Sequence, residues 1–426
     1  MGLTASQEYA LAQIEAGENV FLTGEAGTGK SYVIKEFMKS TDKNVLLCAP
    51  TGIAAIQIGG ETLHRAFGIP VHPLGPDEKT YPSEVIKNTD VLIIDEISMV
   101  RFDVFSYVSR VLLKLKKQVQ LIVVGDFFQL PPVVTAKDNE ILKKLWDGKL
   151  LFGFSGGFAF EANEWNIWNF KTVWLTEILR QEDEAYVGLL NHVRMGNRLA
   201  LNYFNAYCST NGISDKGIYL CGLNKTATEL NDSKLNALEG KAKIYKGVTL
   251  GTFGDKPAPE ELQLKVGARV MSLLNSHDKS EPYKNGSLGT VVALESNAVV
   301  VQFDEFEKQS LIGENEWLNI EYTVVKDGKG KKKLSTKTIG TYRQIPLRIA
   351  YAITIHKSQG QTFNDVNLDP YSFTHGQLYV ALSRCRRLKD LHLTRLIQEN
   401  WLIIDKSVQD FYSLIIARER QNGGIV

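Results

Sequence analysis

The sequence predicts an α/β fold with parallel sheets, and three observations predict it. Short apolar runs recur between polar stretches: ENVFLTG (residues 18–24), NVLLCAP (44–50), DVLIID (90–95) and QLIVVGD (120–126). Segments of helical spacing lie between them. The first run breaks into a Gly-rich loop, GEAGTGKS, which opens a helix from about Ser31 to Lys39. Strands alternating with helices in this way build a doubly wound parallel sheet. At 426 residues the chain is longer than one hydrophobic core serves, so more than one lobe is expected.

Composition narrows the function classes. Apolar residues make up 44% and charged residues 23%, as in ordinary soluble domains. No apolar run approaches the roughly eighteen residues a membrane helix needs. A net charge of +1 gives no electrostatic footprint for nucleic acid at whole-chain level, so such a partner needs a local groove. Cys48, Cys208, Cys221 and Cys385 are far apart and form no C-x-x-C pair, which argues against a zinc site or disulfide framework and suits a reducing cytosol. The start MGLTAS fits the loose N-myristoylation pattern through Gly2 and Ser6, but Thr4 to Gln7 also reads as a helix capping box.

The loop carries the sharpest chemistry. Its G-x-x-x-x-G-K-S spacing is filled by Gly24, Gly29, Lys30 and Ser31, with Gly27 and Thr28 between. Glycines let backbone N–H groups turn inward around a phosphate, and the helix N-terminus adds partial positive charge. Lys30 is placed to reach the β- and γ-phosphates of ATP, and the Ser31 hydroxyl to ligate Mg²⁺. The run DVLII ends on Asp95-Glu96, at the strand end where ligands of parallel sheets sit. Asp95 is placed for the Mg²⁺ shell, and Glu96 to polarise a water attacking the γ-phosphate. Gln129, just beyond QLIVVGD, either senses the γ-phosphate or simply meets water. One RecA-like ATPase lobe is expected over residues 1–183, with an irregular, proline-rich insert at about 64–82.

The second half has no second phosphate loop. Arg180 in LTEILRQED and Arg384 in LYVALSRCRRL are candidates for a cation that stabilises the transferring phosphoryl group, or are plain surface arginines. Alternating apolar and polar text with Gly turns predicts a small β-barrel module at 284–347, inserted in a second lobe formed by 184–283 and 348–426. Its hairpin tip bears Lys326, Lys329, Lys331, Lys332 and Lys333, which reads more readily as a solvated turn than as a phosphate contact. LRIAYAITIHKSQGQT is again a buried run breaking into a polar loop.

Taken in order, GEAGTGKS, APTGIAA, TLHRAF, IDEISMV, GDFFQLPPV, FAFEANEW, LTEILRQ, TIHKSQGQT and ALSRCR resemble the PIF (petite integration frequency) family of superfamily-one helicases, kin of RecD. The resemblance runs from Gln7 to about Leu391. It implies two RecA-like lobes around one ATP, with an SH3-like β insert in the second. It places Gln7 on the adenine, in competition with the capping-box reading. It places Gln129, Arg180 and Arg384 at the γ-phosphate, and Gln359 and Gly360 toward the nucleotide. It assigns the single-strand backbone to Thr51, Gly52 and His64 from the first lobe, and to Thr354, His356, Lys357 and Ser358 from the second. Donors of these kinds suit sequence-blind backbone binding. The insert is expected to hold a strand-splitting wedge, with Phe67 and the His72-Pro73 stretch as candidates.

The resulting expectation is an ATP- and Mg²⁺-dependent DNA helicase with 5′-to-3′ polarity, acting on single-stranded, forked or structured DNA. The family implies roles in DNA repair, recombination, telomere maintenance and G-quadruplex unwinding. The chain is expected to be a monomer, away from membranes, in the cytoplasm of a bacterial or viral system. Rival readings are a translocase or RecD-like motor subunit that unwinds weakly, and an ATP-gated single-strand binder. The intact Glu96 argues against the binder. A switch GTPase is disfavoured because no N-K-x-D follows the third strand.

Overall fold

The computed structural model describes residues 2–70, 72–150, 155–178, 181, 183–276, 283–328, 330 and 332–421, with Arg420 and Gln421 described by their backbone alone. Arg180, Lys329 and Lys331 lie outside the described residues. The chain divides into two compact units. The first comprises Met1–Leu179, Ile320–Thr338 and Ile404–Val426; the second comprises Arg180–Asn319 and Ile339–Ile403.

The first unit is built on helix α1 (Ala5–Glu15), strand β1 (Val20–Gly24), α2 (Lys30–Ser40), β2 (Val45–Ala49), α3 (Gly52–Ile58), β3 (Glu61–Thr62), α4 (Leu63–Phe67), α5 (Glu84–Asn88), β4 (Val91–Ile94), α6 (Phe102–Leu113), β5 (Gln120–Val124) and β6 (Lys171–Leu175). The strands form one sheet in the order β3-β2-β4-β5-β1-β6. Every pair in it is parallel. All residues of β1, β2, β4 and β5 are buried, which is why these strands read as unbroken apolar runs.

One face of this sheet carries an aromatic core. Phe21, Phe127, Phe158, Phe160 and Trp165 are buried together there with Tyr412. Phe160 stacks on Phe411 at 4.2 Å between ring centroids. The sequence reading left residues beyond 348 in the second lobe. The helix Lys406–Gln421 instead packs in the first unit, because Val408, Phe411 and Tyr412 present an apolar stripe to these rings.

The long hairpin of Asn315–Lys326 and Lys332–Gln344 is likewise divided from expectation: its distal part, Ile320–Thr338, belongs to the first unit. Asn44 fixes it there, its amide donating to the Lys332 carbonyl and its oxygen accepting from the Leu334 N–H. Lys332 pairs with Glu84 at 3.3 Å. This basic tip residue therefore meets protein, not only solvent.

The insert after α4 has little regular structure but is firmly held. Arg101 makes a two-point salt bridge to the fully buried Asp103, whose Oδ2 also accepts the Leu74 N–H at 2.9 Å. Trp146 donates its indole N–H to the Leu74 carbonyl at 2.8 Å.

Glu61, on edge strand β3, is 3% exposed, and its Oε2 has no hydrogen-bond partner among the described residues. Burial, opposed by the Arg65 charge, raises its pKa from 4.5 to about 7. The folded protein thus keeps a proton that the unfolded chain releases, so stability falls as pH rises from about 4.5 to about 7. Glu61→Gln is expected to stabilise the protein at pH 8 by about 1–3 kcal/mol and to change little at pH 4. Parallel Tm–pH curves for the two proteins would contradict this.

The second unit contains a four-stranded parallel sheet in the order Ala352–Thr354, Ile218–Cys221, Val366–Leu368, Leu391–Leu393. It also contains a five-stranded antiparallel sheet of Ser310–Gly313, Ala298–Phe303, Leu288–Leu294, Arg269–Ser272 and Leu347–Ile349. This sheet starts earlier in the chain than residue 284, and no closed barrel forms among the described residues. Val270, Val299, Val301 and Phe303 build its core. No helix among the described residues is long and apolar enough to cross a membrane.

Candidate nucleotide and nucleic-acid site

The Gly-rich loop follows β1 and leads into α2, as the local pattern requires. Gly24, Gly27 and Gly29 have φ of 148°, 91° and 82°, where side chains are disfavoured. A Cβ on Gly24 would also lie 2.5 Å from the Leu175 carbonyl oxygen. Lys30 curls back and donates to the carbonyls of Gly24 and Glu25, both at 2.9 Å. The loop is therefore a backbone cradle with its ammonium already inside.

The Ser31 hydroxyl lies near enough to the Asp95 carboxylate to favour its charged form. Burial raises the Asp95 pKa; the Glu96 backbone N–H, the Lys30 charge and the Ser31 hydroxyl act against that. A hydroxyl and a carboxylate brought together beside a lysine fit a hydrated Mg²⁺ on a polyphosphate. Glu96 follows with φ of 52°, a left-handed conformation that is costly for a non-glycine residue. Its N–H donates to Asp95 Oδ1 at 2.9 Å.

Gln7 makes both contacts of the capping box. Its Oε1 accepts the Thr4 N–H, and its own N–H donates to the Thr4 hydroxyl. Its Nε2 goes further, donating to the Thr28 carbonyl in the phosphate loop at 3.0 Å. Gln129 is 7% exposed, in a turn where its N–H donates to the Asp126 carbonyl at 2.9 Å.

Thr51 caps α3, its hydroxyl accepting from Ala54 N, with Gly52 as the first helical residue. His64 is half-buried, and burial followed by the Arg101 charge lowers its pKa. Phe67 requires correction. It is 6% exposed and packs with Leu63, Ile69 and Leu74 in the core, so its ring offers nothing to a DNA strand.

In the second unit, the loop after Ala352–Thr354 holds the other predicted group. His356 is half-buried, and burial lowers its pKa. Lys357 is also lowered, by burial and then by the Arg348 charge. Gly360 has φ of 76° and is exposed, with Gln359 half-buried beside it. Thr354 and Ser358 differ from expectation. Both are buried; the Thr354 hydroxyl accepts from Lys357 N, and the Ser358 hydroxyl donates to the Ile355 carbonyl at 2.7 Å. These hydroxyls shape the loop and do not face outward.

Arg384 is 1% exposed. It donates to the carbonyls of Val380, Ser358 and Gln361 and to the Ser383 hydroxyl. It is thus a buried brace for the SQGQT loop, where the sequence offered a cation for the transferring phosphoryl group or a surface arginine. Sequence reasoning missed Gln181, which donates to the Ser383 carbonyl at 3.1 Å. Its place beside Arg180 in LTEILRQ was the available signal.

The comparisons with known proteins follow this layout. The model described as PIF1-like helicase matches residues 2–152, and that of the UvrD-like helicase C-terminal domain matches residues 349–388. The ATP-dependent DNA helicase Pif1 of Bdellovibrio bacteriovorus is 30% identical, over 96% of this chain and 91% of its own length. The chain belongs to the PIF1-like helicase family. Another family member, human ATP-dependent DNA helicase PIF1, is 32% identical over 92% of this chain and 60% of its own. Among solved PIF1-like helicases, Bacteroides sp. Pif1 in complex with ADP-AlF4 is 35% identical, with a TM-score of 0.87 over 98% of both chains. Bacteroides Pif1 bound to single-stranded DNA is 36% identical, with a TM-score of 0.67 over 98% of both.

Proposed function

We propose that this chain is an ATP-dependent DNA helicase that moves 5′-to-3′ along single-stranded DNA and opens forked or structured duplex. The observation that carries this reading is the cradle of Gly24, Gly27 and Gly29, with Lys30 held inside it by the Gly24 and Glu25 carbonyls. The full-length likeness to Bacteroides Pif1, solved with ADP-AlF4 and with single-stranded DNA, supports it. In this reading the first unit is a RecA-like ATPase lobe. The second is another such lobe, and its antiparallel sheet corresponds to an SH3-like insert.

When bound, Mg²⁺ would neutralise charge developing on the phosphate oxygens. Ser31 and Asp95 would hold it. Lys30 binds the phosphates, Glu96 takes the proton of the attacking water, and Gln129 orients the γ-phosphate. Arg180 is the candidate cation for the γ-phosphate, and Arg384 holds the SQGQT loop, with Gln359 and Gly360 turned toward the nucleotide. Gln7 fixes the loop from behind and meets the adenine. Thr51, Gly52, His64, His356 and Lys357 line the path of the single strand. In this reading the protein works on DNA in the cytoplasm of a bacterial or viral system, which its likeness to a bacterial relative supports.

A second reading, a single-strand translocase or motor subunit with weak unwinding, is favoured by one feature. Phe67, the aromatic candidate for a wedge, is buried. Two duplexes separate the readings, one with a 5′ single-stranded tail and one with a 3′ tail. ATP-dependent opening of the 5′-tailed duplex alone is the expected result. Opening of the 3′-tailed duplex alone refutes the polarity, and DNA-stimulated hydrolysis without opening of either selects the translocase.

A further inference from the structure

We propose that the Tyr412 hydroxyl is a positioning group for ATP hydrolysis, clamping the strand that feeds the phosphate loop to the turn that carries Gln129. The proposal rests on the ATPase reading above. Tyr412 lies on the helix Lys406–Gln421, far in sequence from every motif of the site, and is 2% exposed. Its ring stacks on Phe128, with centroids 4.8 Å apart and planes 6° from parallel.

The hydroxyl sits among three polar groups. Thr23 Oγ1 is 3.1 Å away, the Phe127 N–H donates to it at 3.1 Å, and Asp126 Oδ1 is 3.3 Å away. One assignment of protons satisfies all of them. Thr23 O–H and Phe127 N–H donate to the phenol oxygen, and the phenol O–H donates to the Asp126 carboxylate. Thr23, Asp126 and Phe127 are each no more than 1% exposed, so no solvent competes for these bonds.

The location gives the node its role. Parallel pairing of β1 with β5 runs to Leu22 and Val124, and the Gly125 N–H then donates to the Leu22 carbonyl. Beyond that point the two chains part. One passes through Thr23 into the phosphate loop, starting at Gly24; the other turns through Asp126 to Gln129. Asp126 organises this turn, its carboxylate accepting the Phe128 N–H and its carbonyl the Gln129 N–H. The Tyr412 hydroxyl joins the two chains where the backbone ladder has stopped. It thereby sets the spacing between the cradle and Gln129, and small displacements of such groups are costly to the rate.

The test compares Tyr412→Phe, Phe411→Leu and Gln129→Ala in the full chain, with saturating single-stranded DNA. Tyr412→Phe keeps the ring and removes one oxygen. It is expected to lower kcat for ATP about tenfold with little change in KM. Phe411→Leu loosens the same helix through its contact with Phe160, and is expected to lower Tm while leaving kcat unchanged below the melting range. Thr23→Val combined with Tyr412→Phe should be non-additive, because both remove the same bond.

Wild-type kcat in Tyr412→Phe with a loss in Gln129→Ala overturns the proposal and leaves the Gln129 reading standing. So does an equal kcat loss in Phe411→Leu, which makes the effect one of general stability. A loss in Tyr412→Phe with none in Gln129→Ala overturns the proposal as well, because spacing to a residue that does not act cannot set the rate. No loss in either overturns both.

Discussion

Lys30→Ala will stop ATP turnover, lowering kcat by about 10³-fold, while affinity for single-stranded DNA survives. In the structure the ammonium is held inside the loop by the carbonyls of Gly24 and Glu25. The charge is therefore in place before any phosphate arrives, and little reorganisation is needed when the transition state forms. Alanine removes that charge and also the strap between the helix start and the loop. ATP binding should weaken together with kcat. The proposed DNA-contacting residues sit at the start of α3, on α4 and on the loop after Ala352–Thr354, not on the phosphate loop, so oligonucleotide anisotropy should be unchanged. Near-normal hydrolysis with saturating DNA would show that the loop does not hold the reacting phosphate.

Glu96→Gln will separate binding from chemistry. Glutamine keeps the length and shape of the side chain but cannot accept the proton of the attacking water, a loss of about 10²–10⁴-fold in kcat. ATP affinity should stay close to wild type, in contrast to Lys30→Ala. The backbone offers an independent check. Glu96 sits at φ of 52°, and a non-glycine residue there costs about 1–3 kcal/mol. Glu96→Gly should therefore raise Tm while abolishing turnover, the signature of strain kept for function. A Glu96→Gly protein less stable than wild type would show that the side chain makes structural contacts outweighing the strain. Turnover preserved in Glu96→Gln would move the base elsewhere.

Much of the site was legible because its parts are local. A strand, three glycines, a lysine and a serine within a dozen residues fix a backbone shape that long-range packing hardly alters. The run VLII followed by Asp95-Glu96 is legible for the same reason, since a fully buried strand must release its polar residues at its end. Gln7 shows the limit of such reading. The capping box is visible in four consecutive residues, but the bond from its amide to Thr28 spans 21 positions and has no local sign. Exposure is similarly hidden. Nothing in TLHRAF marks Phe67 as a core residue, and nothing in HKSQGQT shows that Ser358 turns inward. Each depends on what packs over it.

By itself the sequence determined the parallel α/β architecture, the phosphate cradle and the acidic pair beside it, since these follow from residue type and short-range spacing. Only the tertiary structure decided that Arg384 braces a loop, that Ile320–Thr338 belongs with the first unit, and that Tyr412 reaches Thr23 across 389 positions. Such contacts form when buried polar groups find partners from whatever chain lies nearby, because an unpaired donor or acceptor in the core costs about 1–3 kcal/mol. The requirement for a partner can be read in a sequence, but its identity follows from the packing.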